Sequence, residues 1–99
     1  MAKYVLTKDA KRDLAAIANY TIENFGIQQA RHYRDGLFQS FKTLTDNPRI
    51  GRDYGHIKDG ARRYEHKKHS IYYSMTDDGI LILRILHERQ DPGLNLLKN

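Results

Sequence analysis

The chain has 99 residues, of which 17 are Lys or Arg and 12 Asp or Glu, a formal charge of +5 at pH 7, and Leu, Ile, Val and Phe make up 23 of the 99, above the roughly 20% below which charged chains stay disordered. A chain of this length reads as one domain over residues 1–99 with a compact core and little room for a large internal pocket. The absence of cysteine excludes a disulfide framework, a Cys-based zinc site and a thiol nucleophile, and the positive balance draws the chain toward phosphate or an acidic protein.

Lys3 to Thr7 is a short strand candidate rich in β-formers. Thr7 or Asp9 then caps a helix whose apolar stripe is Ala10, Leu14, Ile17, Thr21 and Phe25, at helical spacing. Gly26 is placed to end it in a left-handed conformation. Ala30, Tyr33, Leu37, Phe41 and Leu44 repeat the same spacing in a second helix. Asn47-Pro48 stops that helix, because the residue before proline is pushed out of helical space. One glycine between two amphipathic helices predicts an antiparallel helical hairpin.

Residues 51–60 read as a loop. Beyond it the period changes to two, with strands at Arg62 to His66, Ser70 to Met75 and Ile80 to His87. Asp78-Gly79 marks a hairpin turn between the last two. The run from Ile80 to Leu86 is apolar on both faces except at Arg84, so it is expected to be the central strand, covered on both sides. The fold class is α+β: a helical hairpin packed on a small, mainly antiparallel four-stranded sheet in the order β-α-α-β-β-β. The tyrosines, Tyr20, Tyr33 and Tyr73 among them, are expected to be packing residues.

The segment from Arg62 to His69 carries four cations and two histidines against one acid. Strand alternation puts Arg62, Tyr64 and His66 on one face and Arg63, Glu65 and Lys67 on the other. A cationic sheet face with an aromatic suits a polyanion or an acidic peptide, while a solvated edge strand is the plainer alternative. Arg84 either binds an anion on an open sheet face or pairs with Glu65, Glu88 or Asp91, because an unpaired buried charge is costly. His69 and His87 come together if their strands pair, and a histidine can move a proton at neutral pH. No HExxH sequence, helical His pair or phosphate loop is present, so neither metal nor cofactor is expected. The first six residues carry no signal-peptide core, and no apolar run approaches the ~20 residues of a membrane helix. The chain therefore reads as soluble, cytoplasmic and without a membrane partner.

Taken in order, residues 7–17 with Tyr20, Asn47-Pro48 with Gly51-Arg52, Arg62 or Arg63, residues 69–73 and residues 84–92 resemble the ParE family of type II toxin–antitoxin modules, within the RelE/ParE superfamily. The resemblance spans nearly the whole chain. It implies a toxin that inhibits DNA gyrase, through the gyrase A protein, and stalls replication. It also implies a hetero-oligomer with an acidic antitoxin encoded alongside, and contact with nucleic acid only through gyrase. Candidate target-binding residues are Arg62, Arg63, Lys67, Lys68, His69, Arg84, His87 and Arg89. Candidate antitoxin-binding residues are Leu14, Tyr33, Leu37, Tyr64 and Leu94. The RelE branch instead cuts messenger RNA on the ribosome, and here Arg84, His87 and Lys67 would serve that chemistry. The chain lacks the late tyrosine of many such nucleases, its last being Tyr73. The family's C-terminal region is tied to toxicity; here it holds Leu94, Leu96 and Leu97, and Leu94 is expected to fold back onto the core.

Overall fold

A computed structural model describes residues 3–97. Strand β1 (Lys3–Leu6) alternates exposed and half-buried residues and lies parallel to the last strand, Tyr4 beside Ile80 and Leu6 beside Ile82. Thr7 caps the first helix. Its Oγ1 accepts the Ala10 N–H at 3.0 Å and donates to the Leu83 carbonyl at 2.8 Å, so one side chain ends β1, starts the helix and ties both to the sheet.

Helices α1 (Lys8–Phe25) and α2 (Ile27–Asp46) form the hairpin, joined at Gly26. Gly26 has φ +90° as expected, but its ψ of 167° is extended rather than left-handed helical. The α2 stripe is well buried at Ala30, Leu37, Phe41 and Leu44. The α1 stripe is not, for only Ala10 and Thr21 of α1 are buried. Phe25, expected on the core face, and Tyr20, expected to pack, are 65% and 64% exposed. Both lie in the last two turns of α1, toward the hairpin end, and Tyr20 falls off the apolar stripe.

Among the described residues the sheet has five strands in the order β1-β5-β4-β3-β2, rather than the four expected. The additional one is β2 (Arg52–Asp53), a two-residue edge inside the segment read as loop, antiparallel to β3 (Arg62–His66). Strands β4 (His69–Thr76) and β5 (Gly79–His87) form the long antiparallel pair. The middle position falls to β4, while β5 is interior between β4 and the short β1. The β4–β5 turn is Asp77-Asp78. Gly79 already lies in the strand, where a Cβ would run into the Lys3 carbonyl. Glycine is needed there for the approach of β1, not for the turn.

A bulge at Leu83 decides where Arg84 points. Tyr73 pairs with Ile82 and Tyr72 with Arg84, so Leu83 has no opposite residue. One extra residue reverses the alternation. Ile80 and Ile82 face the helices before the bulge and Ile85 does so after it, packed with Leu37, Phe41, Leu44, Ile71 and Tyr73. Arg84 and Leu86 are thereby turned to the opposite face. That face is covered, where an open one was expected. Tyr72 and Leu86 lie beneath Leu96, with Tyr54, Ile57 and Leu83 packed around them. Leu96 belongs to α3 (Pro92–Leu96), a short helix too brief to show a period in the sequence; Asp91 caps it by accepting the Gly93 N–H. Leu96 is the leucine that returns to the core, whereas Leu94 is 75% exposed. Among the described residues no helix is long and apolar enough to cross a membrane.

Candidate functional site

The expected cationic face is divided between several roles. Arg62, Tyr64 and His66 share one side of β3, as alternation required, but that side meets the helical layer. Tyr64 packs on the main core. Arg62 donates from Nε to the Gly51 carbonyl and from Nη2 to the Arg49 carbonyl, both at 2.9 Å. Arg63, on the other side, donates to Ser70 Oγ at 3.0 Å, pairs with Glu65 at 3.3 Å and lies 5.8 Å from the centre of the Tyr54 ring.

Arg84 is held by none of the acids that its sequence neighbourhood offered. Its Nε and Nη2 donate to the two carboxylate oxygens of Asp13 on α1 at 2.8 and 2.9 Å, and Nη1 donates to the Asn95 carbonyl at 3.2 Å. Asp13 Oδ2 also accepts the Ile85 N–H at 2.9 Å. Strand β1 stops opposite Ile82, so past that point β5 lacks a strand partner on this edge. The Asp13 carboxylate takes that place. Both side chains are largely buried, 16% and 12% exposed, and the hydrogen bonds that Arg84 donates to Asp13 push its pKa further up against the opposing effect of burial.

At the far end of the sheet His69 and His87 do meet. They are cross-strand partners with rings 5.4 Å apart, nearly perpendicular. Tyr33, from α2, lies between His66 and His69. Its hydroxyl is 2.6 Å from His69 Nδ1 and 3.3 Å from the His66 carbonyl. Ser40 Oγ donates to the Gly36 carbonyl and lies 3.3 Å from His66 Nδ1, and among the described residues the buried His66 Nε2 has no partner. With its hydrogen donated, Ser40 Oγ accepts from Nδ1–H, so His66 is assigned as the neutral Nδ1–H tautomer. Burial lowers the His69 pKa to about 4, with nearby His87 and His66 adding to the effect and Asp13 and Glu88 opposing it. His66 is lowered by burial and by Lys67, and burial raises Tyr33. These groups are a neutral, packed cluster at neutral pH.

The remaining candidates are exposed or serve the groove. Lys67 and Lys68 form a two-residue loop between β3 and β4, and Lys68 Nζ is 3.5 Å from Glu88. Lys67 has φ +54°, a conformation costly for a side chain with a Cβ. Lys67→Gly should therefore raise stability by about 1 kcal/mol, read as a higher urea midpoint with an unchanged slope. His87 Nδ1 accepts the Arg89 N–H at 3.2 Å, and Arg89 is exposed. Leu14 and Leu37 line a cleft of about 240 Å³ between α1 and α2, walled also by Ile17, Ala18 and Phe38 with Arg34 at its rim. Tyr20, Ile22, Phe25 and Ile27 are exposed near the hairpin turn at Gly26. Sequence reading missed Asp13, which falls off the apolar stripe and so looks like a solvated helix residue. Only its proximity to β5 gives it a partner.

Among known proteins, the family model described as the ParE toxin of the type II toxin–antitoxin system, parDE, matches residues 4–92. A curated relative, Toxin ParE1 of Mycobacterium tuberculosis, is 32% identical over 96 residues, spanning 96% of this chain and 98% of the relative. Toxin ParE3 of Caulobacter vibrioides is 28% identical over 98 residues, 99% of this chain and 98% of the relative. A solved structure titled as a chromosomal ParDE TA system from P. aeruginosa superposes with a TM-score of 0.73 at 24% identity, over 88% of this chain and 96% of that one, a likeness of fold. The bulged α+β architecture and a family match running from β1 to the start of α3 agree, and the chain belongs to the ParE family of type II toxins.

Proposed function

We propose that the chain acts as a binding toxin, inhibiting DNA gyrase through the gyrase A protein in the cytoplasm, and that an acidic antitoxin neutralises it by docking in the cleft between α1 and α2. The gyrase target rests on family membership. The observation that carries the docking surface is the apolar cleft walled by the half-buried Leu14, Ile17 and Phe38 over the buried Leu37, with Arg34 also lining it and the exposed Phe25 and Ile27 beyond its hairpin end. An amphipathic segment with an acid opposite Arg34 fits that surface as a helix in a groove. Exposed apolar side chains beside an apolar cleft mark a surface suited to a partner. The chain's +5 charge speeds the encounter with an acidic partner.

The state of the candidate nuclease residues favours binding over RNA cleavage. Arg84 is occupied by Asp13, while Lys67 sits on the β3–β4 hairpin loop beside the paired His69 and His87, not opposite Arg84, whose cross-strand partner is Tyr72. General acid–base work needs its groups within reach of one phosphate. A supercoiling assay with purified gyrase, run beside ribosome-dependent mRNA cleavage, tests the reading. Relaxed plasmid with intact mRNA is expected, and cleaved mRNA with normal supercoiling overturns it. For the antitoxin, Leu14→Glu should weaken binding at least about tenfold, since it puts a charge into an apolar contact, with supercoiling inhibition kept. Titration calorimetry against the antitoxin checks it, and unchanged affinity moves the docking surface elsewhere.

A further inference from the structure

Residues 47–52, the loop after α2 together with the first residue of β2, are held more firmly than an exposed connection requires. Tyr73, fully buried on β4, accepts the Gly51 N–H at 2.9 Å and donates to the Pro48 carbonyl at 2.7 Å. Arg62 takes the carbonyls of Gly51 and Arg49. The Ile50 N–H closes back on the Asn47 carbonyl at 3.2 Å. Gly51 is obligatory, because a Cβ there would collide with the Tyr73 ring. One buried tyrosine and one half-buried arginine thus fix the path of this short segment.

The loop presents two cations around one apolar residue. Arg49, Ile50 and Arg52 are all exposed. Among the described residues neither the Arg49 nor the Arg52 guanidinium has a hydrogen bond or ion pair within the chain. Arg52 stands directly opposite Arg63 in the β2–β3 pair, and like charges opposed across strands destabilise a sheet. The neighbouring acid does not compensate Arg52, since Asp53 turns its carboxylate to the Gly55 N–H at 2.7 Å. A merely solvated loop would need neither the rigid backbone nor the charge opposition.

We propose that residues 47–52 are a contact for duplex DNA, with Arg49 and Arg52 on backbone phosphates and Ile50 against the groove between them. Guanidinium forks match phosphate oxygens in geometry as well as charge. Most protein–DNA hydrogen bonds are of this positioning kind, and an apolar residue framed by arginines is the arrangement of minor-groove wedges. A single isoleucine is too small to be the centre of a protein interface, which takes a packed cluster of anchors. The chain's other exposed large apolar side chains near the hairpin turn, Phe25 and Ile27 among them, belong to a different element. This contact is direct, where the family resemblance implied nucleic acid only through gyrase. It concerns DNA alone, so it and the gyrase reading fail separately.

The test is fluorescence anisotropy of a short labelled DNA duplex with the full chain, from about 50 to 200 mM salt. Arg49→Gln with Arg52→Gln should weaken binding at least about tenfold and lower the slope of log affinity against log salt by about two. Lys11→Gln with Arg31→Gln removes the same charge from exposed helix positions and should change affinity less than about threefold. Equal losses in the two variants overturn the proposal, as does wild-type chain that fails to bind DNA at the lowest salt. So does a loop variant that keeps DNA affinity but loses binding to DNA-free gyrase, which would make the loop a protein contact.

Discussion

Asp13→Ala is expected to cost about 3–5 kcal/mol of stability, because it strands the Arg84 guanidinium in a largely buried position. The same substitution leaves the Ile85 N–H without its acceptor. Small domains have ~5–15 kcal/mol in total, so the variant should melt roughly 15 °C or more below the parent. Arg84→Ala should also lower the midpoint, though less, since Asp13 then keeps the Ile85 N–H. Asp13→Leu combined with Arg84→Met should recover part of the loss, as replacing both members of a buried pair often does. Urea denaturation of the parent, Asp13→Leu, Arg84→Met and their combination forms a double-mutant cycle. Toxicity lost in Arg84→Ala with the midpoint unchanged would make Arg84 a target-facing residue and sink the structural assignment.

Acid should loosen the fold through the histidine cluster. In the unfolded chain a histidine titrates near 6.5, and in the fold His69 is lowered to about 4. Between those values the unfolded chain binds more protons than the folded one. The contribution of His69 is therefore complete above pH ~6.5 and is lost as the pH falls toward 4. With His69 only partly shielded from water, the loss is about 2 kcal/mol, well short of the full value of the shift. His66 adds in the same direction, since a proton on its buried Nε2 would find no acceptor. His69→Asn offers an amide oxygen to the Tyr33 hydroxyl but does not titrate. Its urea midpoint should vary less between pH 7 and 4.5 than the parent's. Parallel profiles for parent and variant would remove His69 from the acid response.

The two helices, the three main later strands and the α+β class were legible because they depend on local spacing. Ala30, Leu37, Phe41 and Leu44 form a stripe whatever they pack on. The α1 stripe misled at Phe25 because period alone does not say which end of a helix reaches past its packing partner; Phe25 is the last residue of α1 and is exposed. The pairing of His69 with His87 followed once their strands were read as neighbours. The covering of the second face was not legible, since Tyr54, Ile57 and Leu96 come from segments with little periodicity.

Composition, periodicity and the order of a few short motifs were enough to assign the helical hairpin, the sheet and the ParE family. The partner of Arg84, the covered second face and the bracing of residues 47–52 by Tyr73 were decided only in three dimensions. Asp13 and Arg84 are 71 residues apart. What joins them is a strand one bulge out of phase and an edge where β1 ends early, and neither feature has a pattern that can be read along the chain.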